Sequence, residues 1–385
     1  MISAAEKKLL LLVDDDSENI QVVHSILKDR YKIRVATNGA KALELAKAEP
    51  LPDLILLDVM MPQMDGYEAC GLLKADERTR DIPVIFLTGK TEVTDETRGF
   101  EVGAVDYIHK PFSPPIVTAR VRNHLMLRDA HETVARQLLA INSELEMARQ
   151  IQLSILPRQT PQLPGLAIEA RYIPMSSVAG DFYDFLVIDE KHLGILIADV
   201  SGHGLASALI ASMLQTAFAA QVPNASDPGE VLSGLNKALC GKFRSHYVTA
   251  AYLFVDLEKG TVTYGAAAHP PLLRWQFKTG SATECVQNGL MLGPFEDPDY
   301  SATTFPVEDG DRIVLITDGI LEARDSSGRE FGMERLRHIV ESKHALLVNR
   351  FADTLLGELS RWSEDAIGAQ QSDDVTLLVI DFKCP

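Results

Sequence analysis

Aspartates that directly follow apolar runs are the residues best placed to do chemistry in the first third of this 385-residue chain. Asp14 and Asp15 follow the first run, Asp58 follows the third, and Lys110 comes just after the fifth. Carboxylate oxygens suit Mg²⁺, which takes few protein ligands and keeps water and phosphate oxygens around it. With a metal and a cation to offset charge, a carboxylate accepts a phosphoryl group. The pattern predicts Asp58 as the nucleophile, Lys110 as the cation and Mg²⁺ as the cofactor.

A parallel sheet would bring these residues together. Short apolar runs between residues 9 and 108 alternate with helical patterns, and this alternation builds such a sheet with helices on both faces. Ligands then bind beyond the carboxyl ends of the strands, where the acids and Thr88 fall. A single aspartate at a strand end is more often a helix cap. Several positions in one register favour a shared site, so we predict an α/β doubly wound domain over residues 1–127.

Four acidic motifs mark the region from residue 158 to 385. They contain Asp181, Asp199, Asp318 and the pair Asp373-Asp374. In three of them the acid adjoins an apolar strand end and glycine, and carboxylates gathered there repel one another unless a cation holds them. Two divalent ions that share Asp199 would activate a bridging water for attack on a phosphate ester. Because strand-like segments dominate and few strand–helix–strand repeats are visible, we predict an α+β sandwich.

Each of these motifs also has an ordinary structural explanation. Thr317-Asp318-Gly319 alone is typical of a turn, and Asp373-Asp374 alone is typical of a solvated loop. Gly202-His203-Gly204 before an apolar helix is typical of a capping turn, or of a backbone nest that binds phosphate. Their joint occurrence favours a metal centre. Spacing alone leaves a calcium-stabilised sandwich as an alternative.

Residues 119–157 join the two regions and are predicted to form one long helix. Apolar residues recur there at steps of four and three, with Gln152 at the one interrupting position. This spacing predicts a two-stranded coiled coil and a homodimer through residues 128–157, and the alternative is an amphipathic helix packed on its own domain. The predicted domains are therefore 1–127, the linker 128–157 and 158–385. The apolar seam comprises Val134, Leu138, Ile141, Leu145, Ala148 and Ile155.

Charge and composition narrow the range of partners. The net charge is −17, from 37 basic and 54 acidic residues, which argues against a nucleic-acid partner because phosphate backbones are bound largely by Lys and Arg. No apolar run reaches the roughly 18 residues needed to cross a bilayer, and no signal peptide is visible. The 4 cysteines form no CxxC pair and are expected to be reduced. We expect a cytoplasmic protein with no membrane partner.

The segments VDDDSEN, LLDVMMPQMDG, FLTGK and DYIHKPF resemble the signature segments of two-component response-regulator receiver domains, and the resemblance covers the whole first domain. It implies a flavodoxin-like fold with five parallel strands, in which a sensor histidine kinase phosphorylates Asp58. A cis peptide at Lys110–Pro111 is expected, since proline makes it accessible. By the resemblance, Mg²⁺ binds Asp15, Asp58 and the Met60 carbonyl, Asp14 acts through water, Asp16 replaces the usual Glu, and Thr88 and Tyr107 form the switch pair.

The second region, with the preceding ARQIQLSILP, resembles the metal-dependent PPM/PP2C protein serine/threonine phosphatases of the SpoIIE and RsbU-like branch. The segments that carry the resemblance are AGDFYDF, IADVSGHG, AAAHPPLL, ITDGILEA and SDDVTLLVI. It implies an α-β-β-α sandwich with a centre of two Mn²⁺ or Mg²⁺ ions. By the resemblance, the metal-site residues are Asp181, Asp199, the Val200 carbonyl, Asp318 and Asp373, and a second group comprises Gly202, His203 as a candidate proton donor, and Asp374.

Two positions depart from that family pattern. Ala179 stands in place of the first glycine of Gly-Gly-Asp, and Ala268 stands in place of the glycine of Ala-Gly-His. If either position requires a positive φ, alanine strains the loop without loss of a ligand. We expect His269 to be structural.

The two resemblances together imply a response regulator whose output is hydrolysis of a phosphoprotein. The expected substrate is a phosphorylated anti-sigma-factor antagonist of the STAS type in a partner-switching pathway. Phosphorylation of Asp58 would alter the long helix and through it the metal site. One alternative is a non-catalytic adaptor that binds a partner through the phosphatase fold. Another is a phosphatase of small molecules or of phosphorylated aspartate.

Overall fold

The computed structural model describes residues 7–89, 99–243, 245–286, 288–363 and 373–383. Lys90 of the FLTGK segment, Ser372 and Cys384 lie outside the described residues. The chain divides into two compact units, Met1–Ala140 and Ile141–Pro385. In the described part of the chain, no helix combines the length and apolarity that crossing a membrane requires.

The first unit contains a five-stranded parallel sheet in the order β2-β1-β3-β4-β5. Successive side chains of β1 bury on opposite faces, with Leu10 and Leu12 in one core and Leu11 and Val13 in the other. Burial on both faces is why these strands read as continuous apolar runs. The elements are β1 (Leu9–Val13), α1 (Ser17–Leu27), β2 (Lys32–Ala36), α2 (Gly39–Ala46), β3 (Leu54–Asp58), α3 (Gly66–Ala75), β4 (Val84–Thr88) and β5 (Asp106–His109).

The long helix α4 spans Pro114–Ile155, 42 residues. It starts before the predicted residue 119 because proline in a first turn loses no helical hydrogen bond, and it ends before Pro157, which disfavours helix in the residue preceding it. Its first part packs in the first unit through Val117, Val121 and Leu125, which are buried at intervals of four residues.

The apolar seam of α4 divides into two parts. Val134, Leu138 and Ile141 are each more than half exposed. Gln152, by contrast, is buried in the second unit, and Leu156 beyond the helix belongs to the core of that unit. The end of the helix therefore packs on the second unit, as the alternative of an amphipathic helix packed on its own domain predicts. The exposed part of the seam remains free to contact a second copy of the chain.

The second unit is a sandwich of two five-stranded antiparallel sheets, in the orders β13-β10-β9-β8-β7 and β12-β11-β14-β15-β6. Alternate side chains of β15 face the inter-sheet core and the outer helices, as a strand covered on both faces requires. This arrangement confirms the predicted α+β sandwich. The strands are β6 (Leu166–Ile173), β7 (Phe182–Val187), β8 (His192–Val200), β9 (Val248–Asp256), β10 (Thr261–Ala267), β11 (Leu272–Gln276), β12 (Ser281–Cys285), β13 (Thr303–Pro306), β14 (Arg312–Ile316) and β15 (Val375–Phe382).

Helices cover both sheets of the second unit. The first pair packs against the sheet that contains β8 to β10, and the last two pack against the sheet that contains β6, β12 and β15. The helices are α5 (Leu205–Ala219), α6 (Pro228–Leu239), the short α7 (Asp318–Leu321), α8 (Gly332–Ser342) and α9 (Val348–Ser363).

Candidate functional site

Neighbouring parallel strands bring the acids of the first unit together. Asp14 follows β1 and Asp58 ends β3, and both carboxylates are almost completely buried. One ligand oxygen from each of Asp14, Asp15 and Asp58 lies within 4.8 Å of the others. Lys110 Nζ lies 2.9 Å from Asp14 Oδ2 and 3.0 Å from Asp58 Oδ1. This triad with a lysine beside it fits a hard divalent cation such as Mg²⁺.

Lys110 and burial shift the pKa of Asp58 in opposite directions. Burial raises the pKa of the Asp58 carboxyl and the Asp14 charge raises it further, while hydrogen bonds from Lys110 and from the Met60 backbone N–H lower it; the net pKa is raised. Burial lowers the pKa of Lys110, but its contacts with Asp14 and Asp58 raise it by more. Lys110 therefore stays protonated and compensates two buried carboxylates.

Asp16 does not share the position of the triad. Its side chain accepts a hydrogen bond from Glu18 N at 2.8 Å and caps α1, which is the ordinary role for aspartate at that place. Asp14 Oδ1 in turn accepts hydrogen bonds from Asp16 N at 2.9 Å and Asn19 Nδ2 at 3.1 Å. Asp14 is thereby oriented by the start of the same helix.

The predicted switch residues are both buried. Thr88 ends β4 and is 3% exposed, and the Tyr107 ring is 4% exposed against Phe86. A Cβ atom on Gly99 would lie 1.7 Å from Tyr107 Oη, so the hydroxyl occupies space that only glycine leaves open. The Lys110–Pro111 peptide is cis, as predicted.

In the second unit the acids come from the ends of both sheets. Asp181 precedes β7 and Asp199 lies near the end of β8 in one sheet, whereas Asp318 follows β14 and Asp373 precedes β15 in the other. Asp199 is hydrogen bonded to Asp181 and is influenced electrostatically by Asp318 and Asp373. Asp199 therefore interacts with acids of both sheets at the end of the sandwich, a relation that the sequence indicates only by joint occurrence. Among the described residues, the acids with three ligand oxygens within 4.8 Å of one another are those of the receiver site and not these.

Burial and mutual repulsion dominate the electrostatics of this site. Burial, together with the charges of Asp318 and Asp373, raises the pKa of Asp199 to about 8. Burial and the Asp373 charge raise the pKa of Asp318 to about 6, and burial and Asp199 raise the pKa of Asp181 well above its usual value. In the described part of the chain no lysine or arginine contacts Asp181 or Asp199. Buried acids without a cationic partner fit a site for divalent cations.

Two glycines allow the backbone to close around these acids. A Cβ atom on Gly180 would lie 2.6 Å from the Val200 carbonyl oxygen, and one on Gly319 would lie 2.0 Å from the Asp374 carbonyl oxygen. The glycines beside Asp181 and Asp318 are therefore required for close backbone approach. Gly202 has φ +82° and precedes the exposed His203 in the loop that leads to α5.

The loop that precedes Asp181 is held from two directions. Asp374 accepts hydrogen bonds from Met175 N at 2.7 Å and Gly180 N at 2.6 Å. Gln152 of α4 accepts one from Ala179 N at 3.0 Å and donates one to Ala179 O at 2.5 Å. Both oxygens of Asp374 thus bind backbone N–H groups. In the sequence Gln152 is a polar residue within an apolar seam, a pattern that indicates an interruption of the seam and not this contact.

The two departures from the family pattern differ in conformation. Ala268 has φ +53°, in the left-handed region that favours glycine, whereas Ala179 does not have a positive φ. His269, which follows Ala268, is 2% exposed, its Nδ1 lies 3.0 Å from Thr249 Oγ1, and burial lowers its pKa to about 3. His269 is therefore a neutral core residue, in agreement with the structural role we expected.

Comparisons with known proteins separate the same two regions. A family model described as Stage II sporulation protein E (SpoIIE) matches residues 189–383, and one described as Response regulator receiver domain matches residues 10–122. Phosphoserine phosphatase RsbU of Bacillus subtilis (strain 168) is 30% identical over 261 residues, which are 67% of this chain and 76% of RsbU. Phosphoserine phosphatase RsbP of the same organism is 34% identical over 245 residues, 62% of this chain and 58% of RsbP.

Other similarities are narrower. A probable cyclic di-GMP phosphodiesterase of Vibrio cholerae is 44% identical over 128 residues, so this chain spans only 29% of that relative's length. The solved SiaA-PP2C domain of Pseudomonas aeruginosa matches 65% of this chain and 100% of that domain with a TM-score of 0.58. Its sequence identity is 22%, and this similarity concerns the fold.

Proposed function

We propose that this chain, which belongs to the Stage II sporulation protein E (SpoIIE) family and carries a response regulator receiver domain, is a receiver-regulated phosphatase of phosphoserine or phosphothreonine in a protein. The observation that carries the proposal is the interaction of Asp199 with Asp181, Asp318 and Asp373 from both sheets, where no lysine or arginine of the described residues contacts Asp181 or Asp199. The two relatives named phosphoserine phosphatases support the reaction class.

The cluster would hold the ions that this reaction needs. Two Mn²⁺ or Mg²⁺ ions, when bound, supply an activated water and polarise the phosphoryl oxygens. Asp199 is the residue suited to both ions because it interacts with Asp181 of its own sheet and with Asp318 and Asp373 of the other. His203 would donate a proton to the leaving serine oxygen, and its exposure beside Gly202 allows a protein substrate to reach it. The residues proposed to hold the ions are Asp181, Asp199, the Val200 carbonyl, Asp318 and Asp373.

The receiver unit would regulate this activity through phosphorylation. A sensor histidine kinase would supply the phosphoryl group from a phosphohistidine. An oxygen of Asp58 would form the new P–O bond as the P–N bond to that histidine breaks, while Lys110 offsets the charge of the phosphoryl group. Mg²⁺ would be held by Asp15, Asp58 and the Met60 carbonyl, with Asp14 acting through water. Thr88 and Tyr107 would then change position, which is the proposed switch.

Helix α4 is the proposed connection between the two activities. Its first turns are packed in the receiver unit through Val117 and Val121, and near its end Gln152 holds both backbone groups of Ala179, two residues before Asp181. A change in the position of α4 would therefore move the loop that carries Asp181. This requires two states with different contacts at Gln152.

The proposed partners follow from the family and from the exposed seam. The substrate would be a phosphorylated anti-sigma-factor antagonist of the STAS type, as the sequence resemblance implies. The names of two relatives, both phosphoserine phosphatases, support only the phosphoserine part of this proposal. A homodimer would form through the exposed part of residues 128–157, where Val134, Leu138 and Ile141 present apolar surface.

Hydrolysis of p-nitrophenyl phosphate by the full chain tests the proposal. We expect turnover that requires Mn²⁺ and that falls by on the order of 10³-fold in Asp199→Ala, because the site loses the carboxylate suited to both ions. Asp297→Ala is the matched control, since Asp297 is an exposed aspartate outside the cluster. If wild type hydrolyses neither this ester nor a phosphoserine peptide in Mn²⁺, the non-catalytic adaptor is the better explanation.

A further inference from the structure

Two buried threonines hydrogen bond to the same oxygen of Asp181. Thr317 Oγ1 donates to Asp181 Oδ2 at 2.8 Å, and Thr376 Oγ1 donates to it at 2.5 Å. Thr317 and Thr376 are 0% exposed and Asp181 is 2% exposed. Solvent therefore does not compete for these hydrogen bonds, and the two hydroxyls orient Oδ2 of this carboxylate.

A third hydrogen bond joins the two threonines. Thr376 N donates to Thr317 Oγ1 at 2.9 Å. An ionised carboxylate only accepts hydrogen bonds, so both hydroxyls donate to Asp181 when it binds a cation. Oδ2 then accepts two hydrogen bonds, which fills both of its lone pairs. Oδ1 is the oxygen left to bind a cation.

The network also joins the two sheets at the site. Thr317 follows β14 and immediately precedes Asp318, whereas Thr376 lies in β15 shortly after Asp373. Asp181 precedes β7 in the opposite sheet. The threonines therefore set the position of an acid from one sheet relative to two acids of the other.

We infer that Thr317 and Thr376 are positioning residues that fix the Asp181 carboxylate so that Oδ1 binds a divalent cation. This inference rests on the function proposed above. Hydrogen-bond partners of metal ligands are typically worth about 10–100-fold in metal affinity. A threonine pair that served only the packing of β14 on β15 would change stability and leave metal affinity unchanged.

Isothermal titration of the full chain with Mn²⁺ measures the effect directly. Thr376→Val and Thr317→Val remove one hydroxyl at nearly constant volume, and Thr376→Ser keeps it. Thr79→Val is the matched control, because Thr79 is also 0% exposed and donates to the Leu73 carbonyl at 2.7 Å in the receiver unit. We expect each Val variant of the pair to bind one Mn²⁺ about 10–100-fold more weakly, with Thr376→Ser and Thr79→Val like wild type.

Turnover of p-nitrophenyl phosphate as a function of Mn²⁺ gives a second readout. A positioning role predicts that excess Mn²⁺ restores turnover in the valine variants. Equal Mn²⁺ affinity in wild type and both valine variants, with folding verified by thermal unfolding in EDTA, would overturn the inference and leave the proposed function intact. Wild type that binds no Mn²⁺ and has no turnover would overturn the proposed function instead. If Thr376→Val does not fold, Thr317→Val decides between the same outcomes.

Discussion

In the receiver unit a lysine Nζ lies within about 3 Å of both Asp14 and Asp58, whereas in the second unit no lysine or arginine of the described residues contacts Asp181 or Asp199. The receiver acids therefore carry their own counter-charge, and a bound metal adds to it. The acids of the second unit are compensated by hydroxyl and backbone hydrogen bonds and by protons, as their raised pKa values indicate. Because Lys110 compensates the receiver acids, we expect that site to tolerate the loss of its metal. The site of the second unit has no such lysine among the described residues, and we expect it to need metal or protons.

Removing the receiver lysine makes the first site resemble the second. Lys110→Ala leaves two almost completely buried carboxylates uncompensated, and we expect the receiver unit to lose about 3 kcal/mol of stability without Mg²⁺. Mg²⁺ should stabilise this variant more than it stabilises wild type. Hydrogen exchange of the β3 amides reports the receiver unit separately. Lys41→Ala is the control, since Lys41 pairs with Glu44 on the surface, where such a pair is worth about 0.5 kcal/mol. Equal stabilisation of wild type and Lys110→Ala by Mg²⁺ would contradict this view of Lys110.

The second site should show the opposite dependence on pH when metal is removed. The pKa of Asp199 is raised to about 8 in the folded state, so this carboxyl binds more protons in the folded than in the unfolded chain between about pH 4 and about pH 8. In EDTA the second unit should therefore lose stability as pH rises from about 4 to about 8, by at most ~1.4 kcal/mol per pH unit for this one group.

Asp199→Asn removes that titration. We expect this variant to be more stable than wild type in EDTA at pH 8 and less responsive to added Mn²⁺. Thermal unfolding at several pH values, with and without Mn²⁺, gives both comparisons. A wild-type midpoint that does not change between pH 5 and pH 8 in EDTA would mean that a cationic group compensates the Asp199 charge without metal, contrary to this expectation.

A substitution that frees the loop before Asp181 should have a smaller effect on stability. It also tests whether this loop transmits the state of the receiver to the phosphatase site. Gln152→Leu leaves the N–H and carbonyl of Ala179 without their partner, and we expect a loss of about 1–2 kcal/mol in the second unit. The variant should also lose the difference in turnover between phosphorylated and unphosphorylated receiver. Gln150→Leu, an exposed position of the same helix, is the control. A regulated Gln152→Leu enzyme would exclude this glutamine from the coupling.

The smallest expected effects come from two residues with left-handed backbones, one in each unit. Gln63 has φ 72° and Ala268 has φ 53°. Replacing either by glycine removes a steric cost and should stabilise its own unit by about 0.5–1 kcal/mol, after the greater chain entropy of unfolded glycine is subtracted. Ala179→Gly, at a residue without a positive φ, should destabilise instead. Thermal unfolding of the three variants tests the assignment.

Part of this organisation was readable in the sequence. Apolar runs that end in aspartate predicted the parallel sheet and placed Asp14 and Asp58 at one edge, because strand burial and strand ends are local properties. The sequence pattern could not show that Asp16 caps a helix while Asp15 belongs to the triad, since an aspartate after a strand is suited to either role. The sequence shows that Ala268 replaces a glycine of the family pattern, but its positive φ is visible only in the structure.

Residues whose role depends on partners far away in the chain could not be predicted from the sequence. Thr376 reaches an acid 195 residues earlier in the chain, and nothing in a strand pattern indicates which alternate side chain has such a partner. Gln152 contacts a loop 27 residues later in the chain. The heptad pattern indicates only that this position interrupts the apolar seam. The split of the seam into an exposed and a buried part likewise depends on which residues of the second unit pack against the end of α4.

Phosphatase assays of the full chain with a phosphoryl analogue test the central claim most directly. Turnover of p-nitrophenyl phosphate in Mn²⁺ would be measured with and without beryllofluoride, in wild type and in Asp58→Asn. We expect beryllofluoride to change turnover in wild type and to have no effect in Asp58→Asn, because the analogue binds the Asp58 carboxylate. Turnover that is the same in all four conditions would contradict a phosphatase regulated by its receiver.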